Sequence, residues 1–238
     1  MSFDRVLQVA MFAAIVRPSL RIFLGLSVRH RERFPRRGPA VVVANHNSHL
    51  DTLALMSLAP LRELWRVRPV AAADHFGGGG FVGFAARHVL RTVLVVRDGC
   101  GAEAALAPVV EALDRGEILI FFPEGSRGEP ETLSRFKRGI AHLATCRPGL
   151  PIVPAYLHGM GKSLPKGAAL FVPFACTIAV GEQADLGAVA PADIPARLEG
   201  TVAALSREVA ACGWDDELGH GLGDPQPVLN RTGSHPLG

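Results

Sequence analysis

Between residues 39 and 211, the chain alternates short, apolar, β-branched runs with longer stretches of helical periodicity. Strands are predicted at AVVVA (40–44), RPVAAA (68–73), TVLVV (92–96), EILIFF (117–122), PIVPAYL (151–157) and FACTIAV (174–180). Helices are predicted at 48–58, 81–90, 102–115, 136–147 and 194–211. Apolar strands that alternate with helices are typical of a parallel sheet covered on both faces. We therefore expect an α/β fold with a largely parallel central sheet of about six or seven strands, covered by helices.

An apolar segment, residues 1–34, precedes this pattern. Its apolar runs cover 6–16 and 22–28, with Arg17 and Pro18 between them, and no run reaches the roughly 18 residues of a bilayer span. They predict one or two amphipathic helices in the membrane interface, with arginines reaching the headgroups. The main alternative is a helix packed on the domain's own core. A signal peptide is less favoured, because Asp4 offsets Arg5 and no A-x-A site follows.

The composition of the 238 residues limits the kinds of binding partner and indicates three segments along the chain. The net charge is only +3, but RHRERFPRRG (29–38) contains five arginines, which favours an anionic partner such as phosphate, a lipid headgroup or nucleic acid. The four cysteines form no C-x-x-C pair, which disfavours a zinc cluster. We expect an N-terminal helical segment (1–34), an α/β domain (35–213) and a disordered, Gly- and Pro-rich tail (214–238).

The stretch NHNSHLD (45–51) directly follows the first strand of the predicted domain. Ser48 is a natural helix N-cap and would place Asp51 in the first helical turn, where it can meet His46 on the preceding turn. A His–Asp pair of this kind acts as a general base. Two alternatives stay open: Ser48-x-x-Asp51 as a capping box, and a metal site built on His46, His49 and Asp51.

A second polar cluster, PEGSRG (123–128), follows the strand EILIFF. Arg127 and Lys137 are candidate phosphate ligands, because arginine forks bind phosphate oxygens in pairs. Arg97, at the end of another strand, would join them, since ligands of α/β sheets bind at the carboxyl ends of strands. A solvated basic face is the alternative. GGGG (77–80) lacks the G-x-G-x-x-G spacing of a dinucleotide loop and is read as a flexible loop.

Together these stretches resemble the glycerolipid acyltransferase family, the 1-acylglycerol-3-phosphate acyltransferases and their relatives. The resemblance covers about residues 40–157 and rests on four ordered blocks. They are Asn45-His46 with Asp51; Arg97; Phe122-Pro123-Glu124-Gly125-Ser126-Arg127 with Phe136, Lys137 and Gly139; and Val153-Pro154. Ser126 replaces the family's usual Thr, and Arg91 stands where the second block usually opens with Gly. Members often carry a Lys near the position of AADHF, where this chain has Ala73-Asp74-His75.

The resemblance implies transfer of a fatty acyl group from an acyl thioester to a hydroxyl of a lysophosphatidate-like lipid, in phospholipid biosynthesis. His46 would be the general base and Asp51 its support, without a covalent intermediate, metal or cofactor. Acyl-CoA or an acyl carrier protein would be the donor. The acceptor would bind at Arg97, Glu124, Gly125, Ser126, Arg127 and Lys137.

The expected partners are the donor, a lysophospholipid acceptor and an anionic membrane surface, and no nucleic acid. The expected location is the cytoplasmic face of the membrane, with peripheral or monotopic attachment. Competing hypotheses are an acyltransferase for another lysolipid or amino-lipid, a metal-dependent hydrolase using His46, His49 and Asp51, and a non-enzymatic lipid-binding protein.

Overall fold

The structure is a computed structural model, which describes residues 3–73, 88–96, 102–129, 132–163 and 174–211. Four predicted features lie wholly or largely outside these residues: Arg97, the loop 77–80, the helix 81–90 and the tail 214–238.

Within the described residues, seven strands form one sheet. They are β1 (Ser27–Arg29), β2 (Ala40–Ala44), β3 (Val67–Ala72), β4 (Val93–Val95), β5 (Ile118–Phe121), β6 (Ile152–His158) and β7 (Thr177–Val180). The helices are α1 (Phe3–Leu24), α2 (Leu50–Ser57), α3 (Ala102–Asp114), α4 (Gly139–Cys146), α5 (Met160–Ser163) and α6 (Ile194–Ala211). Short 3-10 turns cover Arg31–Arg33 and Leu64–Arg66. All six predicted strands are present, within three residues at each end.

The strand order is β1-β7-β6-β2-β5-β3-β4. Strands β6, β2, β5, β3 and β4 run parallel to one another. Strand β7 runs antiparallel to β6, and β1 pairs with β7 in the parallel direction. The largely parallel sheet is therefore confirmed. The central strand, β2, is buried along its whole length, as expected when helices cover both faces.

Strand β1 was not predicted, because residues 1–34 were read as a helical segment. The helix ends at Leu24, and Gly25 follows in the left-handed conformation (φ 49°) that terminates many helices. Residues 27–29 then pair with β7 and become part of the sheet. The boundary between the N-terminal helix and the α/β domain thus lies near Gly25 instead of residue 34.

Helix α1 is one continuous helix with a π-helical stretch at Phe12–Val16. The stretch ends two residues before Pro18, whose ring and missing N–H disrupt regular α-helical bonding in the preceding turn. By length and composition the helix could cross a membrane, with 22% of its most apolar window buried against the rest of the chain. Core helices of soluble proteins and signal sequences share these properties.

Helix α1 has two apolar faces. Its inner face packs Phe12, Val16, Leu20 and Leu24 into the core on one side of the sheet. Its outer face leaves large apolar side chains in solvent: Phe3, Val6, Ile15, Ile22 and Phe23. Large apolar side chains exposed together on one helix face favour an apolar environment outside the domain. The core-packed alternative is therefore correct for the inner face only.

Candidate active site

The two polar clusters meet at the carboxyl ends of β2 and β5. These strands are parallel neighbours, with Val43 opposite Phe121. NHNSHLD follows β2, and PEGSRG begins two residues after β5. The prediction that both clusters open onto one edge of the sheet is thus confirmed.

His46 and Asp51 form a direct side-chain pair. The Nδ1 atom of His46 lies 3.0 Å from Oδ2 of Asp51. The imidazole is 19% exposed, whereas the Asp51 side chain is only 1% exposed. One end of the ring therefore contacts a buried carboxylate, and the ring retains access to solvent.

Asp51 is held by more than the imidazole. The backbone N–H groups of Asn47 and Ser48 each donate to Oδ2 at 2.7 Å. An ionised carboxylate only accepts hydrogen bonds, so the contact with His46 requires the proton on Nδ1. This tautomer leaves a lone pair on Nε2, which can accept a proton from a hydroxyl.

The predicted N-cap, Ser48, is borne out by the hydrogen bonds at the start of α2. His49, directly before Leu50, already has helical dihedral angles (φ −61°, ψ −24°) and makes no side-chain cap. The Oγ of Ser48 instead accepts the N–H of Leu50 at 3.3 Å. The Asp51 carboxylate accepts the Ser48 N–H, which is the reach-back bond of a capping box. One carboxylate oxygen therefore caps the helix and also orients His46.

The PEGSRG loop fixes the backbone of His46. Oε1 of Glu124 accepts the His46 N–H at 3.1 Å, and the N–H of Gly128 donates to the His46 carbonyl at 2.9 Å. Glu124 is buried at this position. Sequence reasoning assigned Glu124 to the acceptor; the structure places it beneath the loop that carries His46.

Glu124 is also the most perturbed carboxyl near the site. Burial raises the pKa of Glu124 to about 7, and the nearby Asp51 carboxylate adds to the rise. The His46 backbone N–H and Ser134 favour the ionised form and oppose it. The group therefore titrates near neutral pH, directly against the backbone of His46.

Three further residues support His46, and sequence reasoning gave them no role there. The Phe122 ring stacks on the imidazole, with centroids 4.1 Å apart. Buried Asn45 donates to the Leu157 carbonyl (2.9 Å) and accepts its N–H (2.8 Å), so its amide joins β2 to β6. Buried Asn47 donates to the Glu129 carbonyl at 2.6 Å. The sequence signal that could have indicated these roles was the pair of asparagines that flank His46 directly after an apolar strand.

The predicted phosphate ligands lie on the outer side of the same loop. Ser126 and Lys137 are exposed, and Arg127 is partly buried. Across the described ranges, no carboxylate forms an ion pair with Arg127 or Lys137, so both cations can bind an anion. Gly125 has φ 80°, and a Cβ at this position would lie 2.6 Å from Nζ of Lys137. The loop thus needs glycine both for its conformation and for the close approach of the lysine.

A cavity of about 320 Å³ lies next to this loop, between β3, β4 and α3. Its walls are mostly apolar, and they include Phe122, Gly125 and Lys137. Phe122 therefore contacts the imidazole and also lines the cavity. Its volume lies at the lower end of the range usual for small-molecule sites.

The metal alternative gains no support from the geometry. His49 is exposed, whereas Asp51 is buried beneath His46. In the part of the chain that the structure describes, His46, His49 and Asp51 do not form a cluster that could hold a metal ion, and neither does any other group of three such side chains.

Comparison with known proteins finds several 1-acyl-sn-glycerol-3-phosphate acyltransferases among the relatives. The chain is 28% identical to human 1-acyl-sn-glycerol-3-phosphate acyltransferase alpha, over 79% of this chain and 66% of the relative. It is 29% identical to a chloroplastic 1-acyl-sn-glycerol-3-phosphate acyltransferase of Arabidopsis thaliana, over 63% of this chain and 40% of the relative. The chain thus spans slightly less than two thirds of the human relative's length.

The fold has a close counterpart among solved structures. The 1-acyl-sn-glycerophosphate acyltransferase PlsC of Thermotoga maritima superimposes with a TM-score of 0.70, over 87% of this chain and 81% of that one, at 23% identity. A family model described as Acyltransferase matches residues 25–158, which is more than half of the chain and includes both polar loops. The chain therefore belongs to the Acyltransferase family.

Proposed function

We propose that this protein transfers a fatty acyl group from an acyl thioester to a free hydroxyl of a lysophosphatidate-like lipid. One observation carries the proposal: Asp51 and the PEGSRG loop fix the side chain and the backbone of His46, while the ring keeps access to solvent. The similarity to 1-acyl-sn-glycerol-3-phosphate acyltransferases supports the choice of acceptor.

In the proposed mechanism, Nε2 of His46 takes the proton of the acceptor hydroxyl. The oxygen then attacks the thioester carbonyl carbon, the C–S bond breaks, and the thiolate receives the proton from the imidazolium. Asp51 holds the Nδ1–H tautomer and stabilises the positive charge. No acyl-enzyme, metal or cofactor takes part; acyl-CoA or an acyl carrier protein is a substrate.

The acceptor phosphate binds at the cations of the PEGSRG loop in this proposal. Arg127 and Lys137 are supported by their position beside Gly125 and by the absence of acidic partners among the described residues. Arg97 remains a prediction, because it lies outside those residues. Glu124 acts through the His46 backbone and is a positioning residue.

The proposed location is the cytoplasmic face of a membrane, with peripheral or monotopic attachment. The outer face of α1 supports it, because large apolar side chains there are 50% to 75% exposed. An amphipathic helix buries such a face at the boundary between headgroups and acyl chains. The lysolipid acceptor resides in the same layer.

Thioester release with His46→Ala tests the mechanism. Loss of a general base costs about 10²- to 10⁴-fold in turnover, so we expect a fall of at least about 100-fold. His49→Ala is the matched control, since His49 is exposed and only three residues away. It should keep most of the activity.

The paired variants also separate the hypotheses. Substantial turnover by His46→Ala would exclude His46 as the base. Loss of activity in both variants, together with inhibition by EDTA, would favour the metal hydrolase. Vesicle binding without turnover for any donor would favour a lipid-binding protein.

A panel of lysophospholipids and donors tests the substrates. We expect the highest kcat/KM with lysophosphatidate, because its phosphate monoester is terminal and can contact both cations. Arg127→Gln should raise the KM for lysophosphatidate and leave the KM for the thioester unchanged. An equal effect on both substrates would place Arg127 outside the acceptor site.

Vesicle pelleting tests the membrane location. Replacing Ile22 and Phe23, on the outer face of α1, by serine should weaken binding to lipid vesicles without lowering the melting temperature. Unchanged pelleting would contradict the interfacial role of this face.

A further inference from the structure

A large cavity lies at the opposite end of the sheet from His46. It has a volume of about 1060 Å³ and is lined by segments before β2 and after α2. Arg36 and Arg37 precede β2, whereas His46 follows it. A five-residue strand spans about 17 Å, so the two sites are well separated.

Five arginines from four separate segments converge on this cavity: Arg17 of α1, Arg31 of the first 3-10 turn, Arg36 and Arg37 before β2, and Arg62 after α2. Glu32 and Glu63 also line it, so its side chains carry a net charge of +3 (5 − 2). The floor includes buried Phe34 and Leu58, with Pro60 beside them. We call this set the arginine pocket.

Capping of the C-terminus of α2 accounts for the positions of only some arginines in the pocket. Arg17 donates through Nη2 to the Ala59 carbonyl, and Arg31 donates to the Leu58 carbonyl at 3.3 Å, both just past the end of α2. Cations stabilise a helix C-terminus. Each guanidinium has five N–H groups, however, and these bonds use one nitrogen of each. Arg36 and Arg37 take no part in the cap.

Among the described residues, four of the five arginines also lack an ion-pair partner, whereas Arg62 lies 4.0 Å from Glu63. Throughout the described ranges, no carboxylate forms an ion pair with Arg17, Arg31, Arg36 or Arg37. The Nε of Arg17 is buried and has no hydrogen-bond partner among these residues. Burial and the neighbouring charges of Arg31 and Arg21 lower the pKa of Arg17. Clustered positive charges that nearby acids neutralise only in part are stabilised when an anion binds between them.

We propose that the arginine pocket is a second anion site, which binds the phosphate of a membrane lipid headgroup or of a soluble phosphate compound. Guanidinium groups bind phosphate oxygens in pairs, and the apolar floor suits the glycerol part of a lipid. Arg17 lies on the helix whose outer face is proposed to contact the membrane. The assignment of the phosphate to a membrane lipid therefore rests on that proposed location. The proposal that the pocket binds phosphate does not depend on the location.

The test asks whether binding depends on the positive charge of the arginines alone or also on the geometry of their N–H donors. The double substitution Arg36→Lys and Arg37→Lys keeps both charges but removes the paired N–H donors. We expect it to weaken binding to vesicles of phosphatidylcholine and phosphatidylglycerol by at least about tenfold, because one guanidinium–phosphate pair contributes a charge-assisted double hydrogen bond. Arg197→Lys with Arg207→Lys, on α6 at the other face of the sheet, is the matched control and should bind as wild type does.

Inorganic pyrophosphate is the soluble probe and requires no membrane. If pyrophosphate raises the melting temperature of wild type but not of the Arg36/Arg37 variant, the pocket binds phosphate even when vesicles do not bind. Loss of vesicle binding without any pyrophosphate effect in wild type assigns the site to lipid alone.

Two outcomes would overturn the proposal. One is that the Arg36/Arg37 lysine variant behaves like wild type with both probes, which would indicate diffuse charge instead of a built site. The other is that the same variant binds vesicles normally but uses an acyl carrier protein donor poorly, which would indicate that the pocket binds a protein partner. Failure of wild type to bind any vesicle would contradict the membrane location only, since pyrophosphate tests the pocket independently.

Discussion

The two ends of the sheet use polar residues in opposite ways. At the carboxyl end, His46, Asp51 and Glu124 are linked by hydrogen bonds of 3.0 to 3.1 Å, and both carboxylates are buried. At the amino end, Arg36 and Arg37 are exposed beside an open cavity. Proton transfer needs a fixed distance and tautomer, whereas an anion can be held by several long cationic side chains. We expect substitutions at the first end to change turnover and those at the second to change attachment.

The largest effect is expected for Asp51→Asn. The amide cannot hold the Nδ1–H tautomer or balance the imidazolium, so turnover should fall about 10³- to 10⁴-fold. Steady-state kinetics with a saturating thioester measures the fall. Thr52→Ala, at the next position of α2, is the control and should retain activity. More than about a tenth of wild-type turnover in the Asp51 variant would contradict the orienting role.

A smaller effect is expected for Gly125→Ala. The positive φ makes alanine about 1–2 kcal/mol less stable there, and its methyl group displaces Lys137. The KM for the phosphorylated acceptor should rise about tenfold if Lys137 loses one charge-assisted contact.

Gly149→Ala is a matched control for that prediction. Gly149 also has φ 80°, but a Cβ there would meet no atom within 4 Å. It should lose a similar amount of stability in urea unfolding and leave the acceptor KM unchanged. A raised KM in both variants would mean that strain, and not the contact with Lys137, perturbs the site.

Glu124→Gln should change how stability depends on pH. Because the folded pKa of about 7 lies above the ordinary value of 4.5, the folded protein binds the proton more tightly than the unfolded chain. Stability from this group is therefore fully present below about pH 4.5 and decreases as pH rises through 7. Glutamine removes this decrease.

Urea unfolding of wild type and Glu124→Gln at pH 5 and pH 8 measures the difference. The stability of wild type should fall more steeply between these values than that of the variant, whose amide does not titrate. Equal slopes would contradict the shifted pKa of Glu124.

The smallest effect on chemistry is expected at the amino end. With a detergent-dispersed acceptor, Arg36→Gln with Arg37→Gln should keep turnover within about twofold, since only weak long-range electrostatics reaches His46. The same assay with His46→Ala provides the contrast. A large loss of turnover with dispersed substrate would mean that the two ends are coupled.

The sequence predicted the strands well, because β-branched runs such as 40–44 are long enough to show burial by themselves. It missed β1, because Ser27–Arg29 is short and directly follows an apolar helix. It placed the cap correctly at Ser48, because a serine directly before an apolar helical stretch is a strong local signal. Arg91, which stands where the second block of the family usually opens with Gly, lies before β4 at the amino end of the strand, with φ 54°, a conformation in which glycine would be unstrained.

The pairing of His46 with Asp51 was predicted from the sequence, because a strand end, a turn and a helix start bring side chains five residues apart within reach, and the structure confirms the contact. The support of His46 by Glu124 and of Asn45 by Leu157 was decided only by the tertiary structure, since these partners lie 78 and 112 residues apart. The same holds for the arginine pocket: RHRERFPRRG was visible as charge, but its joining with Arg17 and Arg62 depends on how α1 and α2 pack on the sheet. Local periodicity determines elements over a few residues, whereas the convergence of distant side chains depends on the strand order and the packing of the helices.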